Sequence, residues 1–246
     1  MQLHRSWQSQ LARLMSASKA FISTFLSLAL LATALPAATA DDAMEARQLV
    51  EKATLTFESF LADPNMQVVR DMIKDAKGVF IAPQVLKGAF ILGASGGSGV
   101  LLVRGESGKP WSQPAFYTLG GVSFGLQAGG ESSEVALLVM TDRGVTALQG
   151  NNIKLGVDAS IAIGPVGAGV SGATAALSAD IIAFSRAQGL YGGISIEGSV
   201  VAVREAWNSA YYGKSVTPTD ILIQRKVSNP HSQTLISAVT KVARPK

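Results

Sequence analysis

The chain has 246 residues, 48% of them hydrophobic, with no cysteine, two histidines and a formal charge of +4. That length supports a substantial core, while the absence of cysteine excludes a disulfide framework and a thiol nucleophile. The modest charge argues against nucleic acid as a partner, and one histidine beyond His4 with scattered carboxylates offers no metal-ligand spacing.

Arg5, Arg13 and Lys19 form a basic start with no acidic residue before Asp41. An apolar stretch from Ala20 to Leu35, interrupted by Ser23, Thr24, Ser27 and Thr33, leads through Pro36 to Ala38-Thr39-Ala40. The stretch is shorter than the ~20 residues of a spanning helix and ends in a small-x-small site, which predicts a secretory signal over 1–40, cleaved after Ala40. Export to the periplasm or extracellular space follows, with 41–246 as one domain. Without the leader, 18 Lys+Arg face 17 Asp+Glu. No cysteine follows the leader to carry a lipid anchor, so release in soluble form is expected.

From 41 to 62, Ala46, Leu49, Val50, Ala53, Phe57, Phe60 and Leu61 recur at spacings of three and four, predicting an amphipathic helix. Asp63-Pro64-Asn65 stops it, and a shorter helix through Val68, Val69, Met72 and Ile73 runs on toward Gly78. From Val79 the texture turns to short β-branched or apolar runs divided by Gly, Pro and Ser: 79–81, 89–92, 100–103, 115–117, 122–127 and 135–140. Asp142–Leu148 reads as a helical interlude capped by Thr141 or Asp142. Strand texture returns at 155–163, 179–185 and 192–203, and helices are expected at 205–212, 218–223 and 230–243. The sum is an α+β fold: a curved, barrel-like antiparallel sheet with helices flanking it at both ends of the chain.

Gly93-Ala94-Ser95-Gly96-Gly97 satisfies the literal pattern of a hydrolase nucleophile elbow, with Asp220 and His231 in the order of a triad. Gly121-Val122-Ser123-Phe124-Gly125 satisfies it too, and Ser95 precedes another strand-like run rather than a helix, so this is a remote alternative. The glycines at 93–99 read instead as a hairpin needing positive φ. They lack the Lys-Ser/Thr of a P-loop, and no cofactor is expected. A membrane barrel is disfavoured because it needs strands of ~9–11 residues with aromatic girdles, and these runs are shorter and poor in aromatics.

Several segments, weak singly, are specific in combination. They are Lys77-Gly78-Val79, Lys87-Gly88-Ala89-Phe90, Gly96-Gly97-Ser98-Gly99-Val100 and Trp111-Ser112-Gln113-Pro114 in the first half. In the second they are Leu155-Gly156, Gly164-Pro165-Val166-Gly167, Gly189-Leu190-Tyr191-Gly192-Gly193, Ile196-Glu197-Gly198-Ser199, Tyr211-Tyr212-Gly213 and Asp220-Ile221-Leu222. Their order and wording resemble the SYLF-domain (Ysc84-like) family, from about Lys74 to the last helix. Phe184 and Tyr191 depart from the common residues, and Ala94-Ser95 stands where some members carry Arg.

The resemblance implies a non-catalytic module that binds lipid, with anionic phospholipid or a membrane surface as its partner. Lys74, Lys77, Lys87, Arg104 and Lys109 are the candidate cations, each set against the plainer reading of solvated charge. Trp111 either lies at a lipid interface or packs under the sheet. The helix at 41–62 mixes acids and bases on its polar face, which favours docking on the core over insertion in a bilayer. The alternative function is an envelope scaffold or protein-interaction domain whose apolar surface meets protein.

Overall fold

The computed structural model describes residues 35–89, 92–106, 109–124, 129–164, 178–187 and 198–244. Residues 1–42 and 43–246 form separate units, and of the first only the start of one helix is described. Residues 1–34 of the expected signal segment, Phe90-Ile91, Gly125, Pro165 to Gly167 and the Gly189–Glu197 motif therefore lie outside the described residues.

The first helix, α1, spans Leu35–Ala62, six residues earlier than its apolar period predicts. Its stripe is buried at Ala46, Leu49, Val50, Ala53, Phe57 and Phe60, each phenylalanine contributing roughly 1.5–3 kcal/mol by burial. Asp63 ends it as expected, its carboxylate accepting from the Asn65 amide at the start of a 3-10 turn, and α2 (Gln67–Met72) follows. No described helix is long and apolar enough to cross a membrane.

Eight strands form one curled, half-barrel sheet. They are β1 (Gly78–Ala89), β2 (Leu92–Val103), β3 (Ala115–Phe124), β4 (Gly129–Val139), β5 (Asn152–Lys154), β6 (Ile161–Ile163), β7 (Ile181–Ala187) and β8 (Val200–Val203), in the order β5-β8-β3-β2-β1-β4-β7-β6. Every pairing is antiparallel except β6 with β7, so the sheet is mixed.

Two expectations about the strands give way. β1 to β4 run 10 to 12 residues, because serines and glycines that look like breaks are extended and paired. Strand length thus says nothing against a membrane barrel. The described sheet, however, is open, ending at β5 and β6. Gly93–Gly99 is likewise no hairpin turn. It lies inside β2, its members paired with β1 on one side and β3 on the other. The described glycines with positive φ are Gly156, Gly198 and Gly213.

Helices cover both faces of the sheet. The interlude expected after β4 is α3 (Asp142–Ala147), capped by the Thr141 hydroxyl on the Gly144 amide at 3.0 Å. The closing helices are α4 (Glu205–Tyr212), α5 (Pro218–Leu222) and α6 (Gln233–Ala243), the last reached through a 3-10 turn at Pro230–Ser232. On one face α1, α2, α4 and α6 bury Val79, Ile81, Val100, Leu102, Phe116 and Phe184. On the other, α3 and α5 close over Phe80, Leu101, Tyr117, Leu137 and Val201. Both clusters sit on one end of the long strands, where β1 begins and β2 ends, and that end carries the site.

Candidate functional site

Where β1 begins and β2 ends, a cleft of about 530 Å³ opens between the α2–β1 connection, the segment after β2, the start of α3 and the end of α5. Its cationic lining is Lys74, Lys77, Arg104, Lys109 and Arg225, and its acidic lining is Asp75, Glu106 and Asp142. Val103, Val145, Leu222 and the 44% exposed Ile223 supply apolar wall. Topology assembles it. Gly78 pairs with Val103 across β1 and β2, and with Val139 across β1 and β4, which sets Lys77, Arg104 and Asp142 on adjacent strand ends.

The cations differ in what they are free to do. Arg104 is committed: Nε donates to the Ala76 carbonyl at 2.7 Å, Nη2 to those of Ile73 and Lys74 at 2.7 and 2.9 Å, and Nη1 to Ala243 at 3.1 Å. It bonds carbonyls of the turn that follows α2 and the last carbonyl of α6, the region where helices leave acceptors unpaired. Burial lowers the pKa of its guanidinium below the ordinary value, partly offset by Asp75. Its planar group lies 4.9 Å over Trp111, which is only 5% exposed and belongs to the core on the α1 side. Trp111 therefore packs beneath the arginine, away from any interface with solvent.

The lysines are held only at the surface. Lys77 Nζ meets Asp142 Oδ2 at 2.6 Å, and Lys74 Nζ meets Asp71 Oδ1 at 2.7 Å within the same turn. Exposed pairs of this kind are worth about 0–1 kcal/mol and exchange partners readily. Lys109 is exposed on the cleft's rim. Lys87 is not part of this group. It lies toward the far end of β1, roughly 30 Å from Lys77 at ~3.3 Å per residue, beside Gly130 and Glu131.

Arg225 is the residue that sequence reading missed. It follows α5 at φ 55°, a left-handed conformation unusual for a long side chain, and Nη1 donates to the Pro110 carbonyl at 2.5 Å. Burial lowers its pKa too. No glycine marks the turn, so composition alone gave no signal; Asp220 provides one, since its carboxylate holds Thr217 and Lys226 on either side of the bend.

A model of the family described as "Ysc84: Las17-binding protein actin regulator" matches residues 120–242, half of the chain. The chain belongs to this family. SH3 domain-containing YSC84-like protein 1 of Bos taurus is 34% identical over 161 residues, which is 65% of this chain and 47% of that protein. The Homo sapiens protein of the same name is 34% identical over 161 residues, covering 65% and 46%. LAS seventeen-binding protein 3 of Saccharomyces cerevisiae is 32% identical over 159 residues, covering 63% and 34%. The chain thus spans less than half the length of these curated relatives. The family match contains the α3 and α5 side of the cleft, with Asp142, Ile223 and Arg225, while Lys74, Lys77, Arg104 and Lys109 precede it.

The residues of the hydrolase alternative serve other purposes in this family member. Ser95 Oγ donates to the Gly121 carbonyl at 3.4 Å within the sheet. Asp220 belongs to the capping box of α5, where bonds from Lys226 and Thr217 hold its pKa well below the usual carboxylate range. His231 bridges the Tyr211 hydroxyl at 3.2 Å and Glu51 at 3.1 Å. With each engaged elsewhere, the constellation does not form.

Proposed function

We propose that the protein is an exported, non-catalytic binding module that takes the phosphate of anionic phospholipid into the cleft beside β1. The observation that carries this is the meeting of five cationic side chains with three acidic ones around a concave wall that includes exposed Ile223. Arg104 and Arg225, fixed on backbone carbonyls, provide standing positive potential, and Lys74, Lys77 and Lys109 supply mobile donors for phosphate oxygens. Ile223 and Val145 offer the glycerol and acyl portion an apolar edge. Support for export comes from the basic start, apolar stretch and small-x-small site of the first forty residues.

The test is co-sedimentation with phosphatidylcholine vesicles with and without phosphatidylglycerol, at low and high salt. Binding should require the anionic lipid, fall with salt, and weaken several-fold when Lys74, Lys77 and Lys109 are changed together to Gln. Lys87→Gln, at the other end of β1, should leave it unchanged. Absence of binding to every vesicle would reject this reading.

A second reading, a scaffold that docks protein, draws on a different surface. Val122 and Leu86 are 79% and 55% exposed on the far half of the sheet, and the yeast relative is named for binding a protein. Loss of a partner on changing Val122 and Leu86 to Ser, with vesicle binding absent throughout, would favour it.

A further inference from the structure

We infer that the Asp142 carboxylate occupies the phosphate subsite of the cleft, acting as a built-in competitor that the ligand must displace from Lys77. This rests on the lipid-binding reading above and adds where the phosphate sits and what holds the site closed. Asp142 Oδ2 and Lys77 Nζ meet at 2.6 Å across residues that are 65 apart in sequence, so the pair joins α3 to the α2–β1 connection across the cleft. The Lys74–Asp71 pair, by contrast, is local to one turn and spans nothing.

Asp142 is not the cap of α3; its charge sits in the first turn of that helix. The N-terminus of α3 is capped by Thr141, which bonds the Gly144 amide, and Thr141 is in turn fixed by donating to Asp180 at 2.6 Å. The Asp142 side chain is 84% exposed, with Lys77 as its hydrogen-bond partner. The lysine is held at its base instead: its amide donates to the Val139 carbonyl at 2.7 Å, and its carbonyl accepts from the Arg104 amide at 2.8 Å. A lysine anchored by its backbone, whose mobile ammonium faces an exposed, replaceable carboxylate, is the arrangement an incoming phosphate exploits. It supplies the same negative charge and acceptor oxygens, and it adds contacts to Lys109 and the field of Arg104 and Arg225. Freed from Lys77, the Asp142 carboxylate returns to water at little cost.

The decisive measurement is the affinity of the full chain for phosphatidylcholine–phosphatidylglycerol vesicles in four variants: Asp142→Asn, Glu106→Gln, Lys77→Gln, and Asp142→Asn with Lys77→Gln. Removing any acid from the cleft raises affinity slightly through overall charge, and Glu106→Gln measures that contribution. Asp142→Asn should tighten binding by about two- to five-fold, the range an exposed ion pair is worth, and by more than Glu106→Gln. In the Lys77→Gln background the excess should vanish. An equal gain for the two acids, or a gain from Asp142→Asn that survives Lys77→Gln, would overturn the subsite while leaving lipid binding intact. Failure of the wild type to bind any vesicle would remove the lipid reading and the subsite with it. Glycerophosphoglycerol, the same phosphodiester without acyl chains, is titrated in parallel. Vesicle binding alone assigns the phosphate to a membrane lipid, and binding of both with the same dependence on Asp142 assigns it to the headgroup itself; either supports the subsite.

Discussion

The long strands pass through two unlike environments. At one end, Val79 to Ala82, Val100 to Val103, Ala115 to Tyr117 and Val135 to Val139 are buried on both faces, between α1, α2, α4 and α6 on one side and α3 and α5 on the other. At the other end, the same strands carry Leu86 to Gly88, Ala94 to Ser98, Gly120 to Val122 and Gly130 to Ser132, mostly small and exposed or half-buried. The ladder of hydrogen bonds runs through both, broken in register only beside Pro83, where β1 bulges against β2 and β4. Hydrogen bonding alone therefore does not separate the two halves. Apolar burial does: among the described residues it is concentrated beneath the charged cleft and falls away along the far half.

The largest break in that comparison should come from aromatic truncation. Phe80→Ala, fully buried against Tyr117, is expected to cost about 3–5 kcal/mol, while Leu86→Ala six residues along stays within about 0.5 kcal/mol, measured by urea unfolding. Equal losses would mean that the far half is packed against something in solution.

Two adjacent glycines sharpen the point. A Cβ on Gly97 would overlap the Gln84 carbonyl and approach the Val85 Cα to 3.0 Å at the bulge, whereas a Cβ on Gly96 meets nothing within 4 Å. Gly97→Ala should cost about 1–3 kcal/mol, because backbone cannot yield as a side chain can. Gly96→Ala should be neutral or stabilise by about 0.4–1 kcal/mol through a less flexible unfolded chain. Thermal midpoints of the two variants read this directly.

The smallest expected contrast lies within the cleft. Arg104→Lys strands carbonyls of Lys74, Ala76 and Ala243 that a single ammonium cannot reach together, at about 1–3 kcal/mol, whereas Lys77→Gln removes one exposed pair worth less than about 1 kcal/mol. A Lys77 variant as unstable as the Arg104 variant would show that Lys77 holds the fold together rather than waiting for a ligand.

Much of this architecture is legible in the amino-acid sequence. The stripe of α1, its stop at Asp63, a cap at Thr141 or Asp142 and the closing helices all follow from periods and caps within a few residues of chain. The strands are legible as texture but not as lengths, because Gly and Ser at 93–99 and 129–133 resemble turns until neighbours on both sides bond them. The parallel pairing of β6 with β7 has no local mark, since nothing in a three-residue strand encodes its partner's direction. Among the candidate cations, sequence proximity groups Lys87 with Lys77, but an extended strand carries side chains apart at ~3.3 Å per residue.

By itself, then, the sequence determined roughly where the helices lie, which face of the first is apolar, and that the middle of the chain forms a glycine-rich sheet. These depend on spacing and capping over a handful of residues. Tertiary structure alone decided which charges share a cleft and which of them are free. Lys77, Asp142 and Arg225 come from three distant stretches, and Arg104 looks like any surface cation until α2 and α6 bring their terminal carbonyls to it. The difference is physical: periodicity is a property of neighbours along the chain, whereas the availability of a charge depends on every group that folding packs around it.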